Sequence, residues 1–225
     1  MAKDSNERIV NAATRLFAMR GYHGTSMRDI AREVNLTVAT VQQHAGSKEL
    51  LYREVFRRQY EVEHNIITSS LEAYKQKGGG LLYYSAPLLR QLLKDIWKKL
   101  IDRFRDSPEL VRLWTYRWLE SNEPTLDIDQ KYSMSLYQIE LDAIGEAQQN
   151  GAITSSRLEI LIWLSGFAWL QMGFFTGRNL IRDFGESDPF GPRSIAAFYN
   201  FLDRYVDLMI DFDDSANIRT KEGNL

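Results

Sequence analysis

A short polar run, TVATVQQH at residues 37–44, carries side chains suited to reading a nucleic acid. Gln42 and Gln43 present amides that donate and accept hydrogen bonds together, which matches the major-groove edge of adenine. Ala39 and Thr40 are small enough to let a helix approach the bases closely. These residue types at neighbouring positions predict contacts with base edges.

Lys48 follows this run and offers chemistry for a phosphate. Ser47 is a typical capping residue, so Lys48 falls in the first turn of the next helix, where a positive charge opposes the helix macrodipole. A phosphate bound by the Lys48 ammonium and the free N–H groups of that turn would reverse this penalty. An exposed lysine in water is the alternative interpretation.

Three short helices are predicted to position these groups. Ser26 caps the second helix, with Asp29 placed to complete a capping box, and the chain turns at Asn35 before Thr37 caps the third. Two short helices joined by a three-residue turn have the spacing of a helix-turn-helix, whose second helix enters the major groove of DNA. His44, at the end of that helix, lies where a contact with the DNA backbone would fall.

The remaining chain also has helical periodicity, and no run alternates convincingly like a strand. We therefore expect an all-α protein of about nine helices, the longer ones near residues 47–77, 86–105, 107–121, 127–149, 155–178 and 193–212. The Gly78-Gly79-Gly80 segment lacks the Lys and Ser/Thr that follow a phosphate-binding loop, so we predict a turn that ends the first long helix.

Charge is unevenly distributed along the chain, although the net charge is only −2. Residues 1–60 carry ten Lys/Arg against six Asp/Glu, a balance of +4, and residues 61–225 carry eighteen against twenty-four, a balance of −6. A basic end on an acidic body suits a protein whose smaller end meets a polyanion, although chance variation along a solvated surface accounts for it equally well. The lack of cysteine excludes disulfides and thiolate metal sites, and no apolar signal-peptide core is present, so a cytoplasmic location is expected.

Patterns for catalysis or metal binding are weak. The chain has three histidines and no Ser-centred elbow, phosphate loop or HExxH motif. Glu61 and His64 have the spacing of half a di-metal site in a helical bundle, but no second copy is evident. We predict no cofactor, no metal and no enzymatic activity, and an enzyme built around a cavity in the helical body is the weakest alternative.

Residues 8–56 resemble the TetR family of one-component regulators. The resemblance rests on Leu16-Phe17, Gly21-Tyr22, Thr25-Ser26, Ile30-Ala31 and Ser47-Lys48-Glu49 followed by Leu50-Leu51. It implies a homodimer in which residues 1–50 form a DNA-binding head and residues 51–225 form a helical body that binds an effector and dimerises. The residues expected at the DNA are Ser26, Arg28, Thr37, Val38, Ala39, Thr40, Gln42, Gln43, His44 and Lys48.

The chain also departs from the family pattern. Members of the family usually have aromatic residues where Gln42 and Ala45 stand, and Gly-Val-Ser in place of Asn35-Leu36-Thr37. Loss of the first aromatic removes a phosphate and packing contact, and loss of the second leaves the junction to the long helix less filled. An alternative function therefore stays open, a helical small-molecule binding protein whose head no longer reads DNA.

The most apolar segment, residues 160–177, contains no charged residue over eighteen positions. A helix that is apolar all round is buried all round, so one face is predicted to meet its own core and the other a partner subunit. Glu159 and Arg178 bound the segment, which favours a dimer interface over a membrane span. The predicted interface residues, drawn from this helix and the last one, are Trp163, Gly166, Leu170, Gly173, Gly177, Phe198, Leu202 and Tyr205.

Aromatic residues in the middle helices could line an effector cavity or belong to an ordinary core. The candidates for the cavity are Trp97, Phe104, Trp114, Trp118 and Tyr137. The resemblance implies a ligand-responsive regulator, most often a repressor, that an apolar or aromatic small molecule releases from a palindromic operator in double-stranded DNA.

Overall fold

The computed structural model describes residues 2–77, 86–120, 127–176, 180–185, 188 and 190–214, with side chains from residue 5 onward. Gly78, Gly79, Gly80 and Gly177, which carry predictions made above, lie outside these ranges. Within them the all-α prediction is confirmed. The described residues form nine helices of seven or more residues, one four-residue helix and a π-helical turn, and their only β-structure is the isolated bridge Ile153–Phe212.

The helix bounds follow the sequence pattern closely. The helices are α1 Ala2–Arg20, α2 Met27–Glu33, α3 Val38–Ala45, α4 Lys48–Lys77, α5 Ala86–Asp106, α6 Pro108–Leu119, α7 Met134–Gln149, α8 Arg157–Thr176, α9 Leu180–Asp183 and α10 Pro192–Met209. The largest difference is at residues 127–149, where the π-helical turn Asp129–Ser133 precedes α7.

The short N-terminal helices form for the local reasons expected. The Ser26 hydroxyl accepts a hydrogen bond from the Asp29 N–H at 3.2 Å, and the Asp29 carboxylate accepts one from the Ser26 N–H at 3.0 Å, which completes the capping box. The Thr37 hydroxyl accepts from the Thr40 N–H at 3.1 Å. Asn35 has a φ of 56°, so it makes the left-handed turn between α2 and α3 without a glycine.

The chain divides into two compact units. Unit 1 contains Met1–Val62 and Phe104–Ser135, and unit 2 contains Glu63–Arg103 and Leu136–Leu225. The predicted boundary between the DNA-binding head, residues 1–50, and the effector-binding body, residues 51–225, falls inside unit 1 and stays a prediction.

Unit 1 is built on α1, which buries an apolar stripe with helical spacing. Its members are Ile9, Ala12, Ala13, Leu16 and Phe17. Aromatic rings continue this core, with ring centroids 4.8 Å apart for Phe17 and Tyr52, 4.9 Å for Tyr52 and Phe56, and 4.7 Å for Phe56 and Trp114. Because Trp114 belongs to α6, which packs on α1, a helix from the middle of the chain supports the N-terminal three helices.

Unit 2 has an aromatic centre around Trp97 of α5, which is 0% exposed. Its ring stacks on Phe167 at a centroid distance of 3.5 Å and on Trp163 at 4.4 Å, both from α8. Ion pairs also join α5 to α10, with Lys94 to Asp207 at 2.7 Å and Lys98 to Asp203 at 3.0 Å. These pairs recur every four residues on both helices in opposite order, so the two helices run antiparallel.

Candidate functional site

Helix α3 has one buried anchor and a polar outward face. Val41 is 0% exposed and Val38 is half-buried, so both valines hold α3 against its own unit. Ala39, Gln42 and Gln43 are exposed. The small and amide side chains predicted to read base edges therefore lie on the exposed face of α3.

The hydrogen-bonding groups on this face differ in their availability. In the part of the chain that the structure describes, neither the Gln42 nor the Gln43 amide has a hydrogen-bond partner, so both are free to pair with a ligand. The hydroxyls of Thr37 and Thr40 lie 2.9 Å apart and bond to each other. The glutamines are thus the groups best placed for direct base contacts.

Helix α2 contributes a second set of predicted contacts. Arg28 is exposed, and among the described residues its guanidinium forms no ion pair. The Ser26 hydroxyl is already engaged, because it donates to the Asp29 carboxylate at 2.5 Å, and hydrogen bonds from Ser26 lower the pKa of Asp29. Exposed His44 completes the predicted DNA-facing set at the end of α3.

Lys48 is held in place at the start of α4. Its Nζ lies 4.1 Å from the centroid of the Tyr22 ring, a cation–π contact. Burial lowers the pKa of Lys48, and the nearby Glu120 carboxylate raises it. Glu120 also accepts a hydrogen bond from the Tyr22 backbone N–H at 3.2 Å, so the same carboxylate that lies near the Lys48 ammonium holds the Tyr22 backbone.

Arg117 fixes the end of α6 from which Glu120 reaches Tyr22. Its side chain is 2% exposed, its Nη2 donates to the Asp129 carboxylate at 2.7 Å and its Nη1 donates to the Glu120 carbonyl at 3.4 Å. Sequence reasoning missed these supports, because Tyr22 and Glu120 lie 98 positions apart and no local pattern connects them.

The two positions that depart from the family pattern differ in their surroundings. Gln42 is exposed, so its side chain leaves no internal gap, and Ala45 is half-buried. After Ala45, Gly46 has a φ of 72° and its N–H donates to the Gln42 carbonyl at 2.8 Å. A Cβ at Gly46 would lie 2.8 Å from Leu50 Cδ1, which means that Leu50 covers the turn between α3 and α4.

The predicted dimer-interface residues separate into two groups within unit 2. Trp163, Phe198 and Leu202 are buried in the core of their own unit, so they present little surface to a partner. The others that the structure describes line an open apolar groove of about 640 Å³, together with the largely buried Phe198 and exposed Trp169. These groove-lining residues are Gly166, Leu170, Gly173 and Tyr205.

Gly166 has a further reason to lack a side chain. A Cβ at Gly166 would lie 2.3 Å from the Tyr205 hydroxyl, which donates to the Trp163 carbonyl at 3.1 Å. Gly173, in contrast, faces open space. Gly166, predicted to contact a partner, therefore leaves room for Tyr205 of its own unit, while the surface at Gly173 stays available.

The aromatic candidates for an effector cavity fall in different units. Phe104, Trp114 and Trp118 belong to unit 1, and Trp97 and Tyr137 belong to unit 2. Trp97 is fully occupied by its stacking contacts, whereas Tyr137 is half-buried. No sequence pattern distinguishes these environments, because all five rings lie on helices with apolar faces.

Helix α8 belongs to a segment, Arg157–Asp183, that is long and apolar enough by composition to cross a membrane. Helices in the core of soluble proteins have the same property. Here α8 buries Trp163 and Phe167 against Trp97. These contacts assign one face of α8 to the core of unit 2.

Comparison with known protein families identifies two matching regions. Residues 9–55 match "Bacterial regulatory proteins, tetR family", and residues 93–173 match "Tetracyclin repressor-like, C-terminal domain". The first region contains α2, α3, Tyr22 and Lys48, and the second contains Arg117 and Glu120.

Two characterised relatives match the N-terminal part. The biofilm operon icaADBC HTH-type negative transcriptional regulator IcaR of Staphylococcus aureus is 34% identical over 61 residues, 27% of this chain and 33% of that protein. The HTH-type transcriptional regulator LmrA of Bacillus subtilis is 34% identical over 79 residues, 35% of this chain and 42% of that protein. The chain thus spans about a third of the length of the first relative and two fifths of the second.

Solved structures share the fold over nearly the whole chain. A TetR-family transcriptional regulator from Mesorhizobium loti superposes with a TM-score of 0.63 at 23% identity and covers 93% of this chain and 96% of its own. Another from Marinobacter aquaeolei gives a TM-score of 0.62 at 20% identity, with 94% and 97% covered. These similarities extend to the helices that follow the N-terminal head.

Proposed function

Because this chain belongs to the TetR family of bacterial regulatory proteins, we propose that it is a homodimeric repressor that binds a palindromic operator and releases it when a small effector binds. The outward face of α3 carries this proposal. It offers the Gln42 and Gln43 amides, which have no hydrogen-bond partner among the described residues, on a helix that Val41 anchors, and the Lys48 ammonium follows at the start of α4. Such a surface supplies base readout and phosphate binding together. A cytoplasmic location follows from this role.

A homodimer accounts for the apolar surface of unit 2. The exposed apolar residues of α8 and α10 include Leu158, Leu161, Ile162, Trp169, Phe201, Leu208 and Met209. Large apolar surfaces of this kind mark sites of association. Two copies related by a two-fold axis would join α8 and α10 into a four-helix interface and place two α3 helices on successive major grooves, about 34 Å apart or a multiple of it.

Regulation requires the effector to prefer one of two spacings of the heads. An effector that binds more tightly to the conformation whose head spacing does not match the operator shifts the population toward that conformation. The size of the shift is limited by the difference between the effector's binding free energies for the two conformations. IcaR is a negative regulator by its name, which favours repression over activation for this chain.

Selection from random duplex DNA tests the proposed function. The purified chain should enrich a two-fold symmetric site at low salt, because a symmetric dimer presents the same α3 face to each half-site. Absence of any enriched sequence would instead support the alternative of a small-molecule binding protein with a head that does not read DNA.

Lys48→Ala is expected to weaken binding to specific and unrelated DNA alike. Lys48 neutralises a phosphate in this proposal, so its loss should reduce the slope of log K against log salt by about 0.9 for each subunit. Fluorescence anisotropy at several salt concentrations measures both the affinity and the slope. An unchanged slope would show that the Lys48 ammonium stays on the Tyr22 ring and does not bind DNA.

Gln43→Ala is the matched control for Lys48→Ala. Its amide carries no charge, so the salt slope should remain that of the wild type. Discrimination at one base pair of each half-site should fall by about 1–3 kcal/mol. A uniform loss on all sequences would assign Gln43 to the DNA backbone.

A further inference from the structure

A glutamate occupies the buried face of α7. Glu140 is 7% exposed, and one helical turn after it come buried Ala143 and Ile144, followed by Ala147 after another turn. This spacing places Glu140 at the start of an apolar stripe. An ionised carboxylate at such a position is unfavourable by several kcal/mol unless it is paired, so packing alone does not explain this residue.

Three helices bring ionisable groups of unit 2 together around Tyr137. Tyr137 lies one turn before it on α7, and burial together with the charges of Glu140 and Glu63 raises the pKa of the Tyr137 hydroxyl. Glu63 of α4 is 6% exposed, and its Oε1 lies 3.9 Å from Nη2 of Arg103 on α5. The cluster therefore holds two carboxylates, one guanidinium and one phenol.

The charges of this cluster do not balance. Arg103 pairs with Glu63, so these two charges offset each other. In the ranges that the structure describes, no hydrogen bond or ion pair reaches the Glu140 carboxylate. Burial alone raises its pKa to about 7. Among the described residues, the negative charge of Glu140 in the interior of unit 2 thus has no positive partner.

We propose that Glu140 is the counter-ion for the positively charged group of an organic ligand that binds inside unit 2, beside the Tyr137 ring. An ammonium, amidinium or quaternary ammonium group fits, since it supplies the missing charge and can rest on an aromatic face. An anion would be repelled, and a neutral ligand would leave the buried charge uncompensated. A metal ion fits poorly, as no group of three metal-binding side chains occurs among the described residues.

This inference rests on the proposed function, because the cation would be the effector of the regulator. It changes the effector class expected from the sequence, from a purely apolar or aromatic molecule to one that also carries a positive charge.

Titration calorimetry on the full-length chain tests the proposal. The probe is the benzyltrimethylammonium ion, compared with its uncharged carbon analogue neopentylbenzene at pH 8. The wild type should bind the cation at least tenfold more tightly than the neutral analogue. Glu140→Gln should lose this preference, whereas Glu146→Gln, which removes an exposed glutamate of the same helix, should retain it.

Lowering the pH provides a second measurement that needs no variant. At pH 5.5 the Glu140 carboxyl is protonated in the free protein, so the preference of the wild type for the cation should fall at least tenfold. Arg103 keeps its charge across this range. Equal binding of the two probes by wild type at pH 8, no binding of the cation, or a preference that survives in Glu140→Gln would each overturn the proposal.

The calorimetry is independent of DNA, so it separates this inference from the proposed function. A cation preference that depends on Glu140, without any enriched operator, would support the site and contradict the repressor. An enriched operator without a cation preference would support the repressor and contradict the site.

Discussion

Replacing Trp97 with alanine is expected to lower the free energy of unfolding by about 3–5 kcal/mol. Trp97 is 0% exposed, and its indole stacks on both Phe167 and Trp163. Alanine would remove the ring and leave a cavity, which α5 and α8 can fill only in part by moving closer together. Chemical denaturation followed by circular dichroism measures this difference.

Phe184→Ala is the control for Trp97→Ala. Phe184 is an aromatic residue of the same unit that is 79% exposed, so its removal should change the free energy of unfolding by no more than about 0.5 kcal/mol. If Trp97→Ala is no more destabilising than Phe184→Ala, the stacked cluster is not the centre of unit 2. A different slope of the unfolding free energy against denaturant concentration in either variant would show that the variant changes the surface exposed on unfolding or departs from two-state unfolding.

The features that were predicted from the sequence are those that near neighbours determine. Ser26 and Asp29, three positions apart, form the capping box. Thr37 and Thr40 form the second cap, and Asn35 turns the chain between them. Such features depend on side chains that reach backbone groups within four residues, so a sequence pattern is enough to identify them.

Long-range pairings were not predictable in the same way. Glu120 bonds to Tyr22 and lies near Lys48 because α6 packs on α1, and nothing in either segment specifies the other. Gly166 was expected to serve contact with a partner, yet it accommodates Tyr205 of its own unit. An apolar helix specifies that both faces are covered but not which residues cover them.

Glu140 shows the same limit for a functional group. The sequence places a glutamate on the same face of α7 as Ala143 and Ala147, a spacing that is visible without coordinates. Whether that glutamate is buried depends on which neighbouring helices cover the face. Only the structure brings Glu63 and Arg103 from two other helices into the same cluster.

Stability should depend on pH through Glu140, and the expected effect is large. Its pKa is about 7 in the folded chain and 4.5 in a solvated carboxyl group. The folded state therefore keeps a proton that the unfolded state has lost between these pH values, so stability falls as pH rises from 4.5 through 7. The two pKa values correspond to a loss of about 3 kcal/mol above pH 7.

Glu140→Gln isolates this contribution, because glutamine resembles the protonated carboxyl and has no proton to release. The free energy of unfolding of the variant minus that of the wild type should rise by about 3 kcal/mol between pH 4.5 and pH 8.5. For Glu146→Gln the same difference should stay flat, because solvent already surrounds that carboxylate. A flat difference for Glu140→Gln would mean that the Glu140 carboxylate is paired or solvated in the folded protein. If Glu140 is the counter-ion of a cationic ligand, benzyltrimethylammonium at pH 8 should raise the free energy of unfolding of the wild type. It should leave that of Glu140→Gln unchanged, since a ligand stabilises only the state that binds it.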